Sequence, residues 1–563
     1  MGFLPALLPT LVSLCSRGRQ RVITSSLACC CLAGGVQAFD DELQPLGPEV
    51  VVNENLSFTQ RWGKVAMDPD GTRFAVAWST VVFHDISLRF FEGDGTPSSS
   101  ELLANEVFQA NDQDEPMVAM DGAGNLFVCW TDRDGSDGDG IGTFGRVYDA
   151  AGQPLGPDFQ INQTWMESQW EPMPKALPGG GWVVAFNGDN DGEAYLRFMT
   201  VDGTPTTGDV NINTFHNNGQ TEAECAVSAD GVVLTIYSDF GGNVAPGTFT
   251  NLLARRFNTN GLALDPLEFV VNDSTLPFDQ LEPRMAASKL PSGQGVFIIV
   301  WEDRGNDGDG DSVWARRYNT AGQALGPEWQ VNVTTSGDQK LPEVAADHVG
   351  NFVVAWEDWS TGSARIVARC YDAAGQSLGG EFVVSGSLVG NYERPQVAMD
   401  SSGESVLIVY SGPGSTGSPT PPQDKDIYLR RFSRPALTLL NAPDVGSTFF
   451  LDLNLPGSAG DVFAVGASLG SSGIALPDGR TWGLDVDPLF DHALQFPNSG
   501  LPFMGFQGVV PPSGKTTVAV VVPPNAILIG LPIQFAGLTL DAAQPGLLNQ
   551  LRVVTRTLTV TLQ

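Results

Sequence analysis

Basic residues are scarce in this chain: 30 lysines and arginines stand against 64 aspartates and glutamates, giving a formal net charge of −34. Such a surface repels polyanions, which argues against nucleic acid and anionic membrane surfaces as partners. Cations, neutral or basic polymers, or solubility in a salty medium fit the charge better.

Residues typical of metal and nucleophile sites are also few. The four histidines are scattered without the spacing of a zinc site, and no nucleophile elbow or phosphate loop occurs. Of the seven cysteines, four lie in the first 38 residues, and Cys129, Cys225 and Cys370 fall on strands of different repeat units. The separation of these three predicts buried thiols rather than a disulfide. A glycosidase needs only two well-placed carboxylates, so catalysis stays open.

The N-terminal segment has the pattern of an export signal. Arginines precede an apolar run over 22–36, and the small-residue sequence Val36-Gln-Ala38 follows. This order predicts a secretory signal peptide over 1–38, and a secreted, cell-surface or periplasmic bacterial protein without a transmembrane segment in the mature chain. The alternative is a lipoprotein signal, because Leu27-Ala-Cys-Cys30 resembles a lipobox.

A strand–turn–strand phrase that ends in an aromatic residue recurs along the chain. Clear copies occupy 65–78, 118–130 and 344–356, and weaker ones begin near Pro174, Cys225, Met285 and Val397. The position of the turn aspartate recurs every 51 to 60 residues. A period of this size built from strands and turns predicts a β-propeller.

Each repeat unit continues with two further strands, so each predicts one four-stranded antiparallel blade. The third strand carries an arginine in register: Arg89, Arg146, Arg197, Arg255, Arg316, Arg369 and Arg430. The seventh unit stops after its third strand at 427–432, whereas the mature chain opens with a lone fourth strand. The sequence therefore predicts a seven-bladed β-propeller over 39–435, closed by an N-terminal strand at 43–53.

The region after Ser433-Arg-Pro435 has a different composition. Residues 436–563 are poor in charge and contain short apolar runs separated by Gly and Pro. This pattern predicts an all-β C-terminal domain of the β-sandwich type.

The repeat resembles a family of secreted bacterial β-propeller repeat proteins whose units read P-x-V-A-M-D-x-x-G-N-F-V-V-x-W, then R-Y-D-x-x-G, then L-G-x-E-F-x-V-N. The resemblance covers about residues 43–433 and implies the fold, but little about activity. Residues 522–534 and 540–545 are similar to a C-terminal domain found on many secreted proteins of Planctomycetes-like bacteria.

One face of the propeller is expected to carry the binding site. Loops between the second and third strands and links between blades share a face, and several of them are long and individual. On this face four glutamates occupy the same register in consecutive blades: Glu115, Glu171, Glu222 and Glu282. The other blades place Trp62, Leu341 and Arg394 there.

Two interpretations of the glutamates remain open. They converge on the channel mouth, where they bind a cation or raise a carboxyl pKa for acid–base work, or each pairs with a third-strand arginine as a structural clamp.

Acidic loops on the same face are candidates for weak Ca²⁺ binding, because they alternate carboxylates with glycines. Their aspartates are Asp132, Asp134, Asp137 and Asp139 in one loop and Asp307, Asp309 and Asp311 in another. Asp-Gly sequences also form plain hairpin turns, which is the alternative.

Taken together, the sequence favours an exported, non-catalytic binding or adhesion protein that recognises an extracellular glycan or protein on its variable-loop face. The alternative is a carbohydrate-active propeller enzyme, sialidase-like or another glycoside hydrolase, that uses the mouth carboxylates. A purely structural envelope protein is the third hypothesis.

Overall fold

A computed structural model describes most of the chain from residue 43 onward. The described residues are 43–81, 84–107, 112–133, 135–138, 140–163, 167–188, 192–215, 219–240, 249–273, 278–386, 389–414, 424–434, 436–439, 447–455, 461–469, 474–475, 481–482, 489, 503–504, 507–511, 515–521, 532–540, 551–555 and 558–561. The predicted signal peptide lies outside them. No helix among these residues is long and apolar enough to cross a membrane.

The described chain divides into two compact units. One comprises residues 47–377 and 381–431, and the other the described residues of 43–46, 378–380 and 432–563.

The larger unit consists of seven antiparallel sheets, six of which are formed by four consecutive strands. Two short strands, β1 (Gln44–Pro45) and β2 (Val50–Val51), precede them. The first three blades are β3 to β6 (Gln60–Met67, Arg73–Thr80, Asp85–Glu92, Leu102–Leu103), β7 to β10 (Gln113–Met120, Leu126–Asp132, Gly142–Tyr148, Phe159–Gln160) and β11 to β14 (Gln169–Ala176, Trp182–Gly188, Glu193–Met199, Val210–Asn211).

The next three blades are β15 to β18 (Gln220–Val227, Val232–Asp239, Asn251–Asn258, Phe269–Val270), β19 to β22 (Gln280–Lys289, Gly295–Arg304, Asp311–Asn319, Trp329–Gln330) and β23 to β26 (Gln339–Ala346, Phe352–Asp358, Arg365–Tyr371, Phe382–Val383). The seventh sheet contains β27, β28 and β29 (Glu393–Met399, Ser405–Pro413, Lys425–Ser433).

The N-terminal strands complete the seventh sheet. Val50 pairs with Leu429, and Val51 with Tyr428, so β2 is the outer neighbour of β29; β1 pairs with the end of the same strand. The first strands of successive blades contact one another in chain order, and β27 contacts β3. These contacts close the ring of seven blades.

Apolar side chains fill the spaces between adjacent blades. Between the seventh and first blades, for example, Trp78, Leu407 and Ile427 are fully buried in one cluster. Cys129, Cys225 and Cys370 are buried within the blades, as expected.

The turn motif of the repeat has a local physical cause. In the second blade, the Asp121 carboxylate accepts hydrogen bonds from the backbone N–H groups of Ala123 (2.9 Å) and Asn125 (2.8 Å). Gly124 between them has φ +82°, a conformation that glycine adopts without strain. The Asp-x-x-Gly sequence is therefore a capped turn between the first and second strands.

The smaller unit is a β-sandwich. Its strands are β30 to β40: Ala436–Leu439, Thr448–Asn454, Val462–Ser468, Ile474–Ala475, Thr481–Trp482, Phe503–Met504, Gln507–Val509, Lys515–Val521, Pro532–Leu540, Leu551–Val554 and Leu558–Thr561. One sheet has the order β30-β31-β37-β35, the other β36-β32-β38-β39 with β40 also on β38, and β33 pairs with β34. Phe449 and Leu451 of the first sheet share a buried core with Val465 and Phe535 of the second. The predicted fold class, a seven-bladed propeller followed by a β-sandwich, is confirmed.

Candidate functional site at the channel mouth

Every inner strand of the propeller contains a β-bulge near its start. In β7, for example, the pairing with β8 shifts register between Asp114 and Met117. The first residue of each bulge has a positive φ of 49° to 60°: Trp62, Glu115, Glu171, Glu222, Glu282, Leu341 and Arg394. The seven residues that the sequence placed in one register therefore share one backbone conformation.

Proline accounts for part of this geometry. It follows the bulge residue in five blades, at Pro116, Pro172, Pro283, Pro342 and Pro395. Because proline has no N–H to give to the strand ladder, it favours a bulge at this point. The sequence contained this signal, and the bulges could have been predicted from it.

Several bulge N–H groups bond to the preceding blade instead of their own sheet. Glu171 N–H donates to Thr131 Oγ1 at 3.0 Å, and Arg394 N–H donates to Glu357 Oε1 at 2.7 Å. These bonds hold the bulges in place through the neighbouring blade.

The four glutamates form an arc across blades two to five, which we call the carboxylate arc (Glu115, Glu171, Glu222 and Glu282). Glu222 Oε2 accepts a hydrogen bond from the Glu282 N–H at 2.7 Å, which brings two members of the arc together. Glu115 forms an ion pair with Arg133 at 3.0 Å, and its side chain is 24% exposed.

The contacts described for the third-strand arginines go to residues other than the carboxylate arc, so the clamp interpretation of the glutamates is wrong. Arg316 Nη1 instead donates to the carbonyl oxygen of Val271 in the preceding blade at 2.7 Å, and Arg369 Nη1 donates likewise to Val331 at 2.8 Å. Arg316 and Arg369 are therefore clamps between blades whose acceptors are backbone carbonyls. Other members of the set also pair with carboxylates outside the arc, as Arg146 does with Glu106 and Arg197 with Asp209.

Burial and mutual repulsion perturb the carboxylate arc. Burial, together with the charges of Glu115 and Glu282, raises the pKa of Glu171 to about 7. The pKa of Glu222 is raised by burial and by the Glu282 charge. Because neighbouring carboxylates act on Glu171 and Glu222, this part of the arc favours ligands that neutralise these side chains or hydrogen-bond to them.

The remaining part of the mouth has different chemistry. The guanidinium carbons of Arg61 and Arg394 lie 3.8 Å and 5.7 Å from the ring centroid of Trp62, and Trp62 is half-buried. Blades seven and one therefore present an aromatic ring with two cations. Sequence analysis placed Trp62 and Arg394 in this register but missed Arg61.

A network of ion pairs lies further along the inner strands, two residues after the bulge residue in four blades and four residues after it at Lys175. Glu343 is paired with Lys64 (3.6 Å) and Arg284 (3.2 Å), and Glu224 is paired with Lys175 (2.8 Å). Burial lowers the pKa of Lys64, although the nearby Glu343 charge opposes the shift. The network joins blades one, three, four, five and six.

The acidic loops are only partly described. Asp134 and Asp139 lie outside the described residues. Asp132 is buried and accepts a hydrogen bond from Gln113 Nε2 at 3.1 Å, and Asp137 Oδ2 lies 3.5 Å from Asn162 Nδ2.

In the second loop, Asp307 accepts a hydrogen bond from the Asp309 N–H at 3.2 Å, and Asp311 pairs with Lys340 at 3.0 Å. Among the described residues, no group of three or more His, Cys, Asp or Glu side chains is arranged to hold a metal ion. Calcium binding stays a prediction.

No protein-family model matches the chain. No curated protein matches it either. Solved structures with a similar fold include a protein of unknown function from Dyadobacter fermentans (12% identity, 70% of this chain and 99% of that chain, TM-score 0.43) and hydrazine synthase of Kuenenia stuttgartiensis (13%, 67% and 95%, TM-score 0.40). Another is the GH93 α-L-arabinofuranosidase of Fusarium graminearum with arabinobiose (11%, 70% and 98%, TM-score 0.42). These distant matches do not bear on activity.

Proposed function

We propose that this protein is an exported, non-catalytic binding protein that recognises an extracellular glycan at the mouth of its propeller channel. We further propose that it belongs with the secreted bacterial repeat proteins and the Planctomycetes-like C-terminal domains that its sequence resembles.

The observation that carries the proposal is the composition of the bulge ring. Trp62 shares its register with four glutamates, and the ring order of the blades places all five around one opening. Sugars present C–H faces that pack on aromatic rings and hydroxyls that bond to carboxylates and guanidinium groups, so this combination suits a glycan.

The backbone conformation supports a role for these side chains. A left-handed φ is costly for a residue with a side chain, and glycine or asparagine adopts it most easily. None of the seven bulge positions carries either residue. Backbone strain of this kind, retained at residues around the channel opening, is typical of functional sites.

A glycan array with the full-length secreted protein tests the proposal. We expect binding to a restricted set of glycans, and Trp62→Ala and Glu222→Gln should each abolish or strongly weaken it. Leu264→Ala is the matched control, because Leu264 is 43% exposed in the turn between β17 and β18, on the opposite face.

Two results would contradict the proposal. One is an array without signal, which would favour a protein ligand or a structural role. The other is glycan binding that survives Trp62→Ala and Glu222→Gln but is lost in Leu264→Ala.

A specific observation favours the enzyme alternative as a second candidate. A carboxyl such as Glu171, whose pKa is raised to about 7 by burial and by its neighbours, suits a general acid at neutral pH. A glycoside hydrolase would release reducing ends from a polysaccharide panel, and Glu171→Gln would abolish that release. Equal release by the wild type and Glu171→Gln would remove Glu171 from catalysis.

Export itself is a separate part of the proposal. Mass spectrometry of the mature protein should find Phe39 at the N-terminus, as the Val36-Gln-Ala38 signal predicts. A lipid-modified N-terminal cysteine would instead support the lipoprotein alternative.

A further inference from the structure

Two of the buried hydrogen-bond donors that have no acceptor among the described residues lie near the bulges of blades seven and one. They are Arg61 Nε and Ser411 Oγ. Arg61 lies against Trp62, and Ser411 lies in β28 opposite Glu393, the residue before Arg394. Ser411 is 2% exposed.

Other blades show what usually bonds to a side chain at the position of Ser411. Its counterparts Thr131, Asn187 and Ser238 lie opposite the residue before each bulge. They donate hydrogen bonds to the bulge glutamates of their own blades, at 3.2 Å, 3.0 Å and 2.5 Å respectively. In blades two to four this position is therefore a donor that holds a carboxylate.

Blade seven keeps the donor but replaces the carboxylate. Its bulge residue is Arg394, whose guanidinium has no acceptor atom. Arg394 is exposed, and no acidic group among the described residues lies within ion-pair distance of its guanidinium. Arg61 Nη2 forms an ion pair with Asp114 at 3.7 Å, but this contact leaves its Nε without an acceptor among the described residues.

We propose that this donor set (Arg61, Arg394 and Ser411, beside Trp62) binds the carboxylate of an acidic sugar, which rests on the glycan-binding function proposed above. The ligand carboxylate takes the place that a glutamate occupies in blades two to four. Ser411 donates to one oxygen, and the guanidinium of Arg394 supplies a charge-assisted pair of bonds. The sugar ring packs on Trp62.

The charge of the whole protein limits how acidic the ligand is. A net charge of −34 repels a polymer with many carboxylates. At physiological ionic strength, however, charges further than about 8 Å away are largely screened. The affinity for a single carboxylate therefore depends mainly on the donors next to it. The glycan class is thus a mainly neutral chain that carries one uronic acid at its end.

Saturation-transfer NMR on the full-length protein tests this with three probes: D-glucuronate, D-glucose and glucose 6-sulfate. Glucuronate should bind at least about tenfold more tightly than glucose, which corresponds to about 1.4 kcal/mol. Arg394→Gln and Ser411→Ala should each reduce this preference to twofold or less, within about 0.4 kcal/mol.

Arg304→Gln is the charge-matched control, because the side chain of Arg304 is 53% exposed at the end of β20 and lies outside the donor set. It should keep the full preference for glucuronate. A thermal melt of Ser411→Ala shows whether this variant is folded. Arg394→Gln is the second test variant, and because Arg394 is exposed, its substitution does not disturb the core.

Several outcomes would overturn the inference. These are equal binding of glucuronate and glucose, equal binding of glucose 6-sulfate and glucuronate, and a preference that survives Arg394→Gln. If glucuronate fails to bind while the glycan array is positive, the carboxylate site is wrong and glycan binding stands. A silent array removes glycan binding itself, and the inference with it.

Discussion

Glu49 accepts a hydrogen bond from the backbone N–H of Gly386 at 2.9 Å, across 337 positions of the chain. Its carboxylate also accepts the hydroxyl proton of Tyr410 at 2.8 Å. The N-terminal segment is thereby bonded to the sixth and seventh blades, beside the β2–β29 pairing.

The same bond recurs in every blade. In each case the acidic residue before the fourth strand accepts an N–H from the end of the preceding blade: Glu49, Glu101, Asp158, Asp209, Glu268, Glu328 and Glu381. The L-G-x-E part of the repeat is thus an inter-blade contact, and the closing strand carries its own copy.

The first prediction concerns this contact. Glu49→Ala leaves the Gly386 N–H and the Tyr410 hydroxyl without their acceptor, so the free energy of unfolding should fall by about 1–3 kcal/mol. Gly386→Ala should also destabilise, because an added Cβ would lie 1.8 Å from Glu49 Oε1. Chemical denaturation measures both.

The exposed Glu92 at the end of β5 gives the matched control, Glu92→Ala, which should change stability little. Deleting residues 43–53 after the signal peptide should lower the melting temperature strongly, because it removes the outer strand of the seventh blade. Unchanged stability after this deletion would contradict ring closure.

The second prediction concerns the third-strand arginines. Arg316 Nη1 donates to Val271 O at 2.7 Å, and its Nε donates to Gly326 O at 3.2 Å. Arg316→Ala should reduce the free energy of unfolding by about 1–3 kcal/mol, because two hydrogen bonds from a charged donor are lost. The Val271 carbonyl keeps the hydrogen bond from the Tyr318 hydroxyl. Ligand binding should survive. Lost binding with intact stability would make Arg316 part of the site.

The third prediction is a pH dependence. In the folded protein the pKa of Glu171 is about 7, above the 4.5 of a solvated glutamate, so the folded state binds the proton more tightly. Stability should therefore fall as the pH rises between these values. Glu171→Gln removes this loss, and at pH 8 it should exceed the wild type by about 1–3 kcal/mol.

Urea denaturation of both proteins from pH 4 to pH 8 measures this difference. Glu92→Gln, an exposed substitution, should follow the wild-type curve at every pH. Parallel curves for Glu171→Gln and the wild type would show that the Glu171 carboxyl is not perturbed.

The fourth prediction concerns the acidic loops. Ca²⁺ should bind weakly, with a dissociation constant near 10⁻⁴–10⁻³ M, roughly the range of extracellular calcium modules. Lys340 pairs with Asp311 at 3.0 Å and with Asp338 at 2.9 Å, and so competes with the ion. Lys340→Gln should tighten binding. Isothermal titration calorimetry measures both affinities. If neither protein gives a heat of binding at about 10 mM Ca²⁺, the loops are ordinary turns and the prediction is wrong.

The sequence alone predicted the parts of this protein that the repeat encodes. Seven units, their strand order and the register of Glu115, Glu171, Glu222 and Glu282 follow from a period that fixes equivalent positions. The pairing of Val50 with Leu429 was expected from a missing fourth strand at one end and a surplus one at the other.

The partners of these residues could not be read in the same way. A repeat shows that Arg316 and Glu282 recur, but not that Arg316 bonds to the carbonyl of Val271 or that Glu282 pairs with Arg284 at 3.0 Å. Such contacts join positions on different strands. The orphaned hydroxyl of Ser411 could not be recognised either, since only a comparison of side-chain contacts between blades reveals it.

The bulges have a consequence for engineering. Several bulge N–H groups bond to the neighbouring blade, as Glu171 does to Thr131, so these bonds do not depend on which side chain the bulge residue carries. Glu222 is different, because its own carboxylate accepts the N–H of Glu282. The seven positions around the opening together carry acids, a base, an aromatic and an aliphatic residue. A library that randomises six of these codons and keeps Glu222 would therefore vary the recognition surface of this scaffold while its framework stays constant.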